Sequence, residues 1–326
     1  MSGRLPRTLS GARSGAASGT LPGRVSVIAP AKINLCLEVG PVRGDGFHEL
    51  ATVYQAVGLY DRVTVREADD ISLTVRADAR VSVSDVPTDG SNIAVRAALL
   101  LSEHHRVERG AEIVLDKGIP VAGGMAGGSA DAAATLLACD RLWALRTSRG
   151  DLLELAAALG SDVPFALVGG TALGTGRGEV VAPLADRGAY WWVVLESAVG
   201  LSTPAVYREL DLLRDGVVVD APQVPDELVR ALRGSDVRAV GGALHNDLEP
   251  VAVRLRPELL QALDRGRTAR VHGAVVSGSG PSCLFLCGSR ADAVHVAGEL
   301  SAAGLGPTSV APGPVAGARV VAVEER

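Results

Sequence analysis

The amino-acid sequence predicts an α+β protein built of two domains, with the first domain ending near residue 182. The chain has 326 residues, of which 47% are hydrophobic, and this is enough to fill two buried cores. Strand-like alternation of apolar and polar residues dominates residues 25–76, whereas long helical stretches lie within residues 92–159. The last third has the order strand, turn, helix and strand, which predicts a second unit with its own core.

The first domain is predicted to open with strands. Strands are expected at residues 25–29, 33–39, 62–67, 71–76 and 111–115. Pro30 is expected to separate the first two strands. Only the acidic turn Asp69 to Asp70 lies between the third and the fourth, so we expect these two to form an antiparallel pair.

Helices and strands alternate through the rest of the chain. Helices are predicted at residues 92–104, 130–145 and 151–159, through much of 205–263, and at 291–302. Strands are predicted at residues 190–196, 273–276, 283–287 and 319–323. Ser129 is expected to cap the second helix, with Asp131 in its first turn, and Gly160 is expected to end the third helix.

Composition excludes several classes of protein. The formal net charge of −5 does not fit a general nucleic-acid binder, which carries a basic surface. Charged residues interrupt every apolar run before it reaches membrane-spanning length. The four cysteines show no spacing typical of disulfide scaffolds or zinc sites, so we expect reduced core residues in a cytoplasmic protein.

Residues 1–24 are rich in Ser, Gly, Ala and Arg, and they contain no acidic residue and no apolar segment. This composition predicts a disordered tail. A transit peptide or a start site assigned too early has a similar composition, and in each case the folded part would begin near Val25.

A glycine-rich loop immediately precedes the second predicted helix. It consists of Pro120, Val121, Ala122, Gly123, Gly124, Met125, Ala126, Gly127, Gly128, Ser129 and Ala130. Glycines allow backbone amides to turn toward an anion, and the N-terminus of a helix adds unpaired N–H donors, so we interpret the loop as a phosphate site. The alternative is an ordinary flexible turn between a strand and a helix.

Three polar residues are candidates for chemistry beside that loop. Lys32 is one of only two lysines in the chain, and Asn34 lies two residues further along the same predicted strand face. Lys32 can supply the cation that the loop lacks, or it can simply lie at an exposed edge. Asp162, in a tight turn after a helix, can accept a proton from a substrate hydroxyl, or it can be a helix cap.

Four motifs occur together in one order. They are residues 30–35 (PAKINL), the glycine-rich loop, residues 160–165 (GSDVPF) and residues 277–282 (SGSGPS). This order resembles the kinases named after galactose, homoserine, mevalonate and phosphomevalonate, abbreviated GHMP, over residues 25–325. Residues 43–50 (RGDGFHEL) and 246–249 (NDLE) resemble the GHMP kinases that act on a cytidine-bearing sugar alcohol.

The resemblance implies a fold, a reaction and its cofactors. The expected fold has a domain like the second domain of ribosomal protein S5, followed by a ferredoxin-like α/β domain over residues 183–326, with the active site in the cleft between them. The expected reaction uses ATP and Mg²⁺ to phosphorylate the 2-hydroxyl of a cytidine-diphosphate-linked methylerythritol, in the non-mevalonate route to isoprenoid precursors. The expected protein is a monomer or a weak homodimer.

The resemblance also implies roles for individual residues. Asp162 would act as the base and Lys32 would hold it charged, while Asn34 would position the erythritol hydroxyls. The cytosine would stack on Phe47 and Tyr207, with His48 bonded to its edge, although ordinary packing of the two aromatic rings is the alternative. No magnesium ligand is identified in the sequence.

Two other functions remain open at this point. One is a GHMP kinase of the homoserine or mevalonate type, which has no reason to keep a Phe-His pair for a pyrimidine. The other is a non-catalytic nucleotide-binding protein that retains the fold alone. Residues 43–55 distinguish the first alternative, and the presence of both Lys32 and Asp162 argues against the second.

Overall fold

The computed structural model describes residues 22–77, 81–121, 123–197 and 200–325. Its strands are β1 (Pro22–Val42), β2 (His48–Ala68), β3 (Ile71–Ala77), β4 (Gly110–Lys117), β5 (Thr171–Gly176), β6 (Val180–Pro183), β7 (Tyr190–Leu195), β8 (His245–Asn246), β9 (Gly273–Val276), β10 (Cys283–Cys287), β11 (Thr308–Gly313) and β12 (Arg319–Glu325). Its helices are α1 (Ile93–His105), α2 (Gly127–Leu142), α3 (Arg149–Leu159), α4 (Val163–Val168), α5 (Thr203–Leu213), α6 (Asp226–Gly234), α7 (Val237–Gly242), α8 (Glu249–Leu255), α9 (Glu258–Arg267) and α10 (Arg290–Ala302).

The predicted disordered tail falls mostly outside the described residues. Its last three residues are an exception, because β1 already begins at Pro22 and pairs there with Glu325 of β12. The prediction of disorder is therefore wrong for residues 22–24.

A long antiparallel pair, β1 with β2, is the centre of the larger sheet, whose main order is β12-β1-β2-β4-β3. The prediction that Pro30 separates two strands is wrong, because β1 runs through it without a break. Pro30 lies opposite Tyr60, and the register shifts directly after it, so a bulge absorbs the residue that has no N–H to donate.

The predicted pairing of β2 with β3 is wrong. Strand β4 lies between them, antiparallel to β2 and parallel to β3. Parallel strands need a long crossover connection, and α1 supplies it. The short turn at Asp69 and Asp70 therefore does not close a hairpin; instead it carries the chain past the position that β4 occupies, two strand positions from β2.

Helix α2 packs against β1 and β2 and fills the centre of the first domain. Most of its residues are buried, and many of them are alanines, which let the helix approach the sheet closely. The helix begins at Gly127 rather than near residue 130. Ser129 is therefore inside the first turn, and the N-cap position belongs to Ala126, which makes no side-chain cap bond.

The second half of the chain forms a four-stranded antiparallel sheet in the order β11-β7-β10-β9. Helices α9 and α10 pack against it around a separate buried cluster. Two strands nevertheless return to the larger sheet: β8 pairs in parallel with Cys36 and Leu37, and β12 pairs with the start of β1. The chain therefore does not divide cleanly at residue 182, since the last strand belongs to the sheet of the first domain.

All four cysteines are buried and unpaired, as the sequence predicts. Burial raises the pKa of Cys36 to about 12, so its thiol stays protonated. Among the described residues, the structure contains no helix long and apolar enough to cross a membrane.

Candidate active site

The turn that joins β1 to β2 presents an aromatic ring to solvent. The backbone N–H of Arg43 donates to the carbonyl of Phe47 at 2.6 Å, and the Asp45 carboxylate accepts the N–H of Phe47 at 3.1 Å. An ion pair of 2.6 Å between Arg43 and Glu49 holds the base of the turn. These contacts leave Phe47 with 53% of its surface exposed, at the rim of the cavity described below.

Lys32 and Asn34 lie on the same face of β1, as strand geometry requires, and both are buried. The Lys32 ammonium donates to Asn34 Oδ1 at 3.0 Å, and Asn34 Nδ2 donates to the hydroxyl of Thr52 at 2.7 Å. That hydroxyl donates in turn to the carbonyl of Cys36 at 2.6 Å. The chain of bonds fixes the Asn34 amide with its oxygen toward Lys32.

Asp162 occupies the N-cap position of α4, but its side chain makes no cap hydrogen bond. Its carboxylate Oδ2 instead lies 3.4 Å from the Lys32 ammonium, and 29% of its side chain is exposed toward the cleft. A simple capping role therefore does not explain the residue. A carboxylate that is held by a cation, yet reachable by a ligand, is suited to bind a substrate hydroxyl.

Tyr54 completes this group, and sequence reasoning missed it. Its ring centre lies 5.0 Å from the Lys32 ammonium, and Tyr54 lines the same cavity as Asp162. Burial, followed by the negative charge of Asp162, raises the pKa of Tyr54 well above its usual value, so the phenol stays a donor. The available signal was the alternation of β2, because His48, Thr52 and Tyr54 share one strand face.

The glycine-rich loop bends sharply before α2. Gly124 and Ala126 adopt positive φ angles of 72° and 55°, and the N–H of Lys32 donates to the carbonyl of Met125 at 3.1 Å. The first N–H groups of α2 have no side-chain cap, so they can bind an anion. Ala122 lies outside the described residues. Among those described, no partner is bonded to the Ser129 hydroxyl.

Residues 277–282 form a second loop that packs directly on the first. Ser277 Oγ donates to the carbonyl of Gly124 at 3.2 Å, and a Cβ atom at Gly124 would lie 2.5 Å from the carbonyl oxygen of Ser277. A Cβ atom at Gly278 would lie 3.5 Å from Asn34 Oδ1. The two loops and β1 therefore meet around the Lys32 ammonium.

Asn246 holds this second loop from behind. Its buried Nδ2 donates to the carbonyls of Val276 and Gly278 at 2.8 and 2.7 Å, and its Oδ1 accepts the N–H of Leu248 at 2.9 Å. The segment 246–249 thus acts as a support for the loop, a function that its sequence alone did not show.

We expect Asn246→Ala to lower the free energy of unfolding by about 1–3 kcal/mol, because two buried carbonyls lose their donor. It should also lower kcat, since the Gly278 carbonyl that Asn246 holds belongs to the loop beside Lys32. Urea denaturation and steady-state kinetics measure the two effects. His245→Ala, at the exposed neighbouring position, is the control and should change stability less. An unchanged unfolding midpoint for Asn246→Ala would contradict this role.

A cavity of about 570 Å³ opens above these groups and is lined by both halves of the chain. The predicted residues that line it are Lys32, Asn34, Phe47, His48, Gly124, Ala126, Asp162 and Tyr207. The His48 ring lies 5.0 Å from the Tyr207 ring, and His48 Nε2 lies 2.7 Å from Asp211 Oδ1. One end of the cavity is therefore aromatic, and the other end carries the Lys32–Asp162 pair.

The remaining loop residues point elsewhere. Pro120, Val121, Gly127 and Gly128 line a separate cavity of about 220 Å³ on the far side of the loop. Gly123, Met125 and Ala130 are buried. The loop therefore separates two cavities, which the sequence did not indicate.

Lys117, the second of the two lysines, lies beneath the loop in a buried cluster that the sequence did not predict. Its ammonium contacts Asp61 and lies 2.8 Å from Asp131 Oδ2, while Asp61 Oδ1 accepts the N–H groups of Gly118 and Ile119 at 2.7 and 2.9 Å. Burial alone lowers the pKa of Lys117, but the two carboxylates outweigh it and raise the pKa. The cluster ties the end of β4 to the first turns of α2.

Comparison with known proteins first defines the class. The family models described as the GHMP kinases N-terminal domain and the GHMP kinases C-terminal match residues 92–170 and 228–306. The structure superposes on a homoserine kinase from Cytophaga hutchinsonii with a TM-score of 0.73, covering 94% of this chain and all of that one. At 20% identity that similarity shows the fold alone. The predicted two-domain GHMP kinase fold is thus confirmed.

Relatives of higher identity define the family within that class. A 4-diphosphocytidyl-2-C-methyl-D-erythritol kinase from Nocardioides sp. is 58% identical over 90% of this chain and 98% of its own length. The enzyme of the same name from Mycobacterium tuberculosis is 50% identical over 92% and 93%. A crystal structure of a 4-(cytidine 5'-diphospho)-2C-methyl-D-erythritol kinase, 33% identical, superposes with a TM-score of 0.71 over 89% of this chain and 99% of that one. The chain belongs to the 4-diphosphocytidyl-2-C-methyl-D-erythritol kinase family.

Proposed function

We propose that this protein transfers the γ-phosphoryl group of ATP to the 2-hydroxyl of 4-diphosphocytidyl-2-C-methyl-D-erythritol, as a step of the non-mevalonate route to isoprenoid precursors. One observation carries the proposal. The Lys32–Asp162 pair lies in a single cavity between the glycine-rich loop and a wall that contains Phe47, His48 and Tyr207. Such a cavity can hold a phosphate donor at one end and a nucleoside-bearing acceptor at the other.

In the proposed reaction, Asp162 accepts the proton of the substrate hydroxyl as the hydroxyl oxygen attacks the γ-phosphorus. The bond from that phosphorus to the oxygen bridging it to the β-phosphate breaks, and ADP leaves. Lys32 pairs with the Asp162 carboxylate at 3.4 Å and places positive charge beside the phosphoryl oxygens. Asn34 bonds Lys32 and Thr52 and also lines the cavity, so its second amide N–H can position an erythritol hydroxyl while the side chain holds the ammonium in place.

The glycine-rich loop is proposed to receive the ATP phosphates through the first N–H groups of α2. The smaller cavity on the far side of the loop has apolar walls from Ile93 and Val86 and is continuous with Gly127 and Gly128. We place the adenine there, since this leaves the larger cavity to the acceptor.

Magnesium is proposed to be bound mainly by the ATP phosphates and water, the usual arrangement for this ion. Ser129, whose hydroxyl has no bonded partner among the described residues, is the protein group that fits it best. Glu38, His245 and Asp247 form another possible metal-binding group, but none of them lines the cavity and Arg214 already holds Asp247 at 2.9 Å. Bound magnesium would offset the charge of the phosphates.

The cytosine is proposed to stack on Phe47 and Tyr207. Asp211 accepts a hydrogen bond from His48 Nε2 when the imidazole is neutral, which leaves Nδ1 as an acceptor for the exocyclic amine of cytosine. This pairing selects cytosine over uracil, because uracil presents an oxygen at that position.

The proposal is tested by incubating the protein with magnesium, ATP and a panel of alcohols that includes homoserine, mevalonate and the cytidine-bearing alcohol. Phosphorus resonance then detects ADP and a new phosphate monoester. We expect turnover of the cytidine-bearing alcohol alone. Equal turnover of homoserine or mevalonate would favour another GHMP activity, and the absence of any product would favour a non-catalytic protein.

We expect Phe47→Ala to raise the KM for the cytidine-bearing substrate about 10- to 100-fold, because base stacking on an aromatic ring is worth about 1–3 kcal/mol. The KM for ATP should not change. Phe47→Tyr keeps the ring and is the control, with both constants close to those of the unmodified protein. An unaltered substrate KM in Phe47→Ala would remove the ring from base recognition.

A further inference from the structure

We propose that Arg177 and Arg208 bind the diphosphate of the acceptor substrate, so that recognition depends on the diphosphate as well as on the cytosine. This inference rests on the proposed function, because it assumes a cytidine-diphosphate-linked acceptor. Both side chains line the large cavity, and neither belongs to the Lys32–Asp162 pair.

Arg177 lies in the turn between β5 and β6, beside the predicted base-binding ring. Its guanidinium carbon is 5.1 Å from the centre of the Phe47 ring. Glu179 accepts the backbone N–H of Arg177 at 2.6 Å and lies 3.6 Å from Nε of the guanidinium. Within the described residues, no protein acceptor is hydrogen-bonded to the two terminal nitrogens of the Arg177 guanidinium. The edge of the guanidinium that suits an oxyanion is thus available to a ligand.

Arg208 approaches the cavity from the other half of the chain. It is exposed on α5, next to Tyr207 and one turn before Asp211. No ion pair or hydrogen bond joins its side chain to the described residues. The two arginines therefore belong to different halves of the chain, but both lie near the aromatic end of one cavity.

The charged side chains that line the cavity differ in how many of their polar atoms are bonded to protein partners. Lys32 is paired with Asp162, and Asp211 is bonded to His48. Arg177 has Glu179 beside its Nε atom, and Arg208 has no ion pair with any described residue, so both guanidinium groups keep N–H donors for a ligand. A cytidine-diphosphate ester carries one negative charge on each phosphate, directly beyond the ribose. Guanidinium groups match phosphate oxygens in planar, paired hydrogen bonds. With the base on the aromatic wall, the diphosphate is the next part of the substrate that the arginines reach.

A purely structural role for Arg177 gives a different expectation. Its guanidinium can stabilise the Phe47 ring by a cation–π contact and do nothing else. In that case its loss would weaken the binding of any cytidine compound equally, whether or not phosphate is present. A ligand without phosphate therefore separates the two roles.

The test uses calorimetric titration of the full chain with cytidine and with cytidine diphosphate-glycerol, whose diphosphate is esterified at both ends. A saturating non-hydrolysable ATP analogue keeps both ligands out of the donor site. The variants are Arg177→Gln and Arg208→Gln. Arg230→Gln, which removes an exposed arginine from α6 outside the cavity, is the matched control.

We expect the unmodified protein and the control to bind the diphosphate compound more tightly than cytidine. Each test variant should weaken binding of the diphosphate compound roughly 10- to 100-fold, the range for a charge-assisted hydrogen bond, with little change for cytidine. In kinetics, the KM for the acceptor should rise while kcat and the KM for ATP stay constant.

Equal losses for both ligands in Arg177→Gln would show that the residue only packs on Phe47, and unchanged affinities in both variants would overturn the inference. Failure of the proposed function gives a different result. In that case the unmodified protein would bind neither cytidine compound, whatever the arginines do.

Discussion

Asp162→Asn is expected to lower kcat about 100- to 10,000-fold, the usual contribution of a positioned general base. The amide keeps the size of the carboxylate but cannot take the proton of the attacking hydroxyl. Because the side chain is 29% exposed and makes no cap bond, the variant should fold normally. Rapid-quench measurement of ADP formation gives the rate, and fluorescence titration shows whether ATP still binds.

Asp211→Asn is the matched control for that experiment. It makes the same chemical change at another carboxylate of the same cavity, one that contacts His48 rather than Lys32. We expect it to raise the KM for the acceptor and to leave kcat nearly unchanged. If Asp162→Asn retains full turnover, Asp162 has no part in proton transfer.

Lys117→Met is expected to lower the free energy of unfolding by about 3–5 kcal/mol, the typical cost of removing one partner from a buried charge pair. Asp61 and Asp131 have side chains that are 0% and 4% exposed, so both carboxylates lose their counter-charge where water cannot replace it. Among the described residues, Asp131 Oδ1 has no hydrogen-bond partner, and burial followed by the charge of Asp61 raises the pKa of Asp131 well above the usual value. Guanidinium chloride denaturation measures the loss.

The other lysine provides the control for that prediction. Lys32→Met should abolish most of the activity while changing stability far less, because Lys32 is paired with a partly exposed Asp162 rather than with two buried acids. The two lysines thus separate an effect on the reaction from an effect on folding. Equal stability of Lys117→Met and the unmodified protein would show that the buried cluster does not support the loop.

Several parts of the candidate site could be predicted from sequence because each depends on local chemistry. The helix predicted at residues 92–104 is α1. Asn92 caps it, because its side-chain oxygen accepts the N–H of Ala94 at 2.8 Å. Lys32 and Asn34 share a face because strands have a period of two. The glycine-rich loop precedes a helix because its composition permits positive φ angles, which Gly124 adopts.

The failures concern relations between distant segments. Nothing near Asp69 shows that β4, more than 30 residues later, enters between β2 and β3. Ser129 looks like a cap by type, but α2 begins at Gly127 and its N-cap position falls on Ala126. Asp131 looks like an ordinary acid of a first turn, and only the fold brings Lys117 beneath it.

The sequence by itself determined the class of fold, the order of the motifs, and the identities of the groups that can do the chemistry. Tertiary structure decided which of those groups meet: Asp162 with Lys32 and Tyr54, the second glycine loop with Gly124, and Lys117 with Asp61 and Asp131. The reason is physical. Backbone preferences and side-chain chemistry act over a few residues, whereas burial and charge pairing depend on chain segments that only the folded sheets and helices bring together.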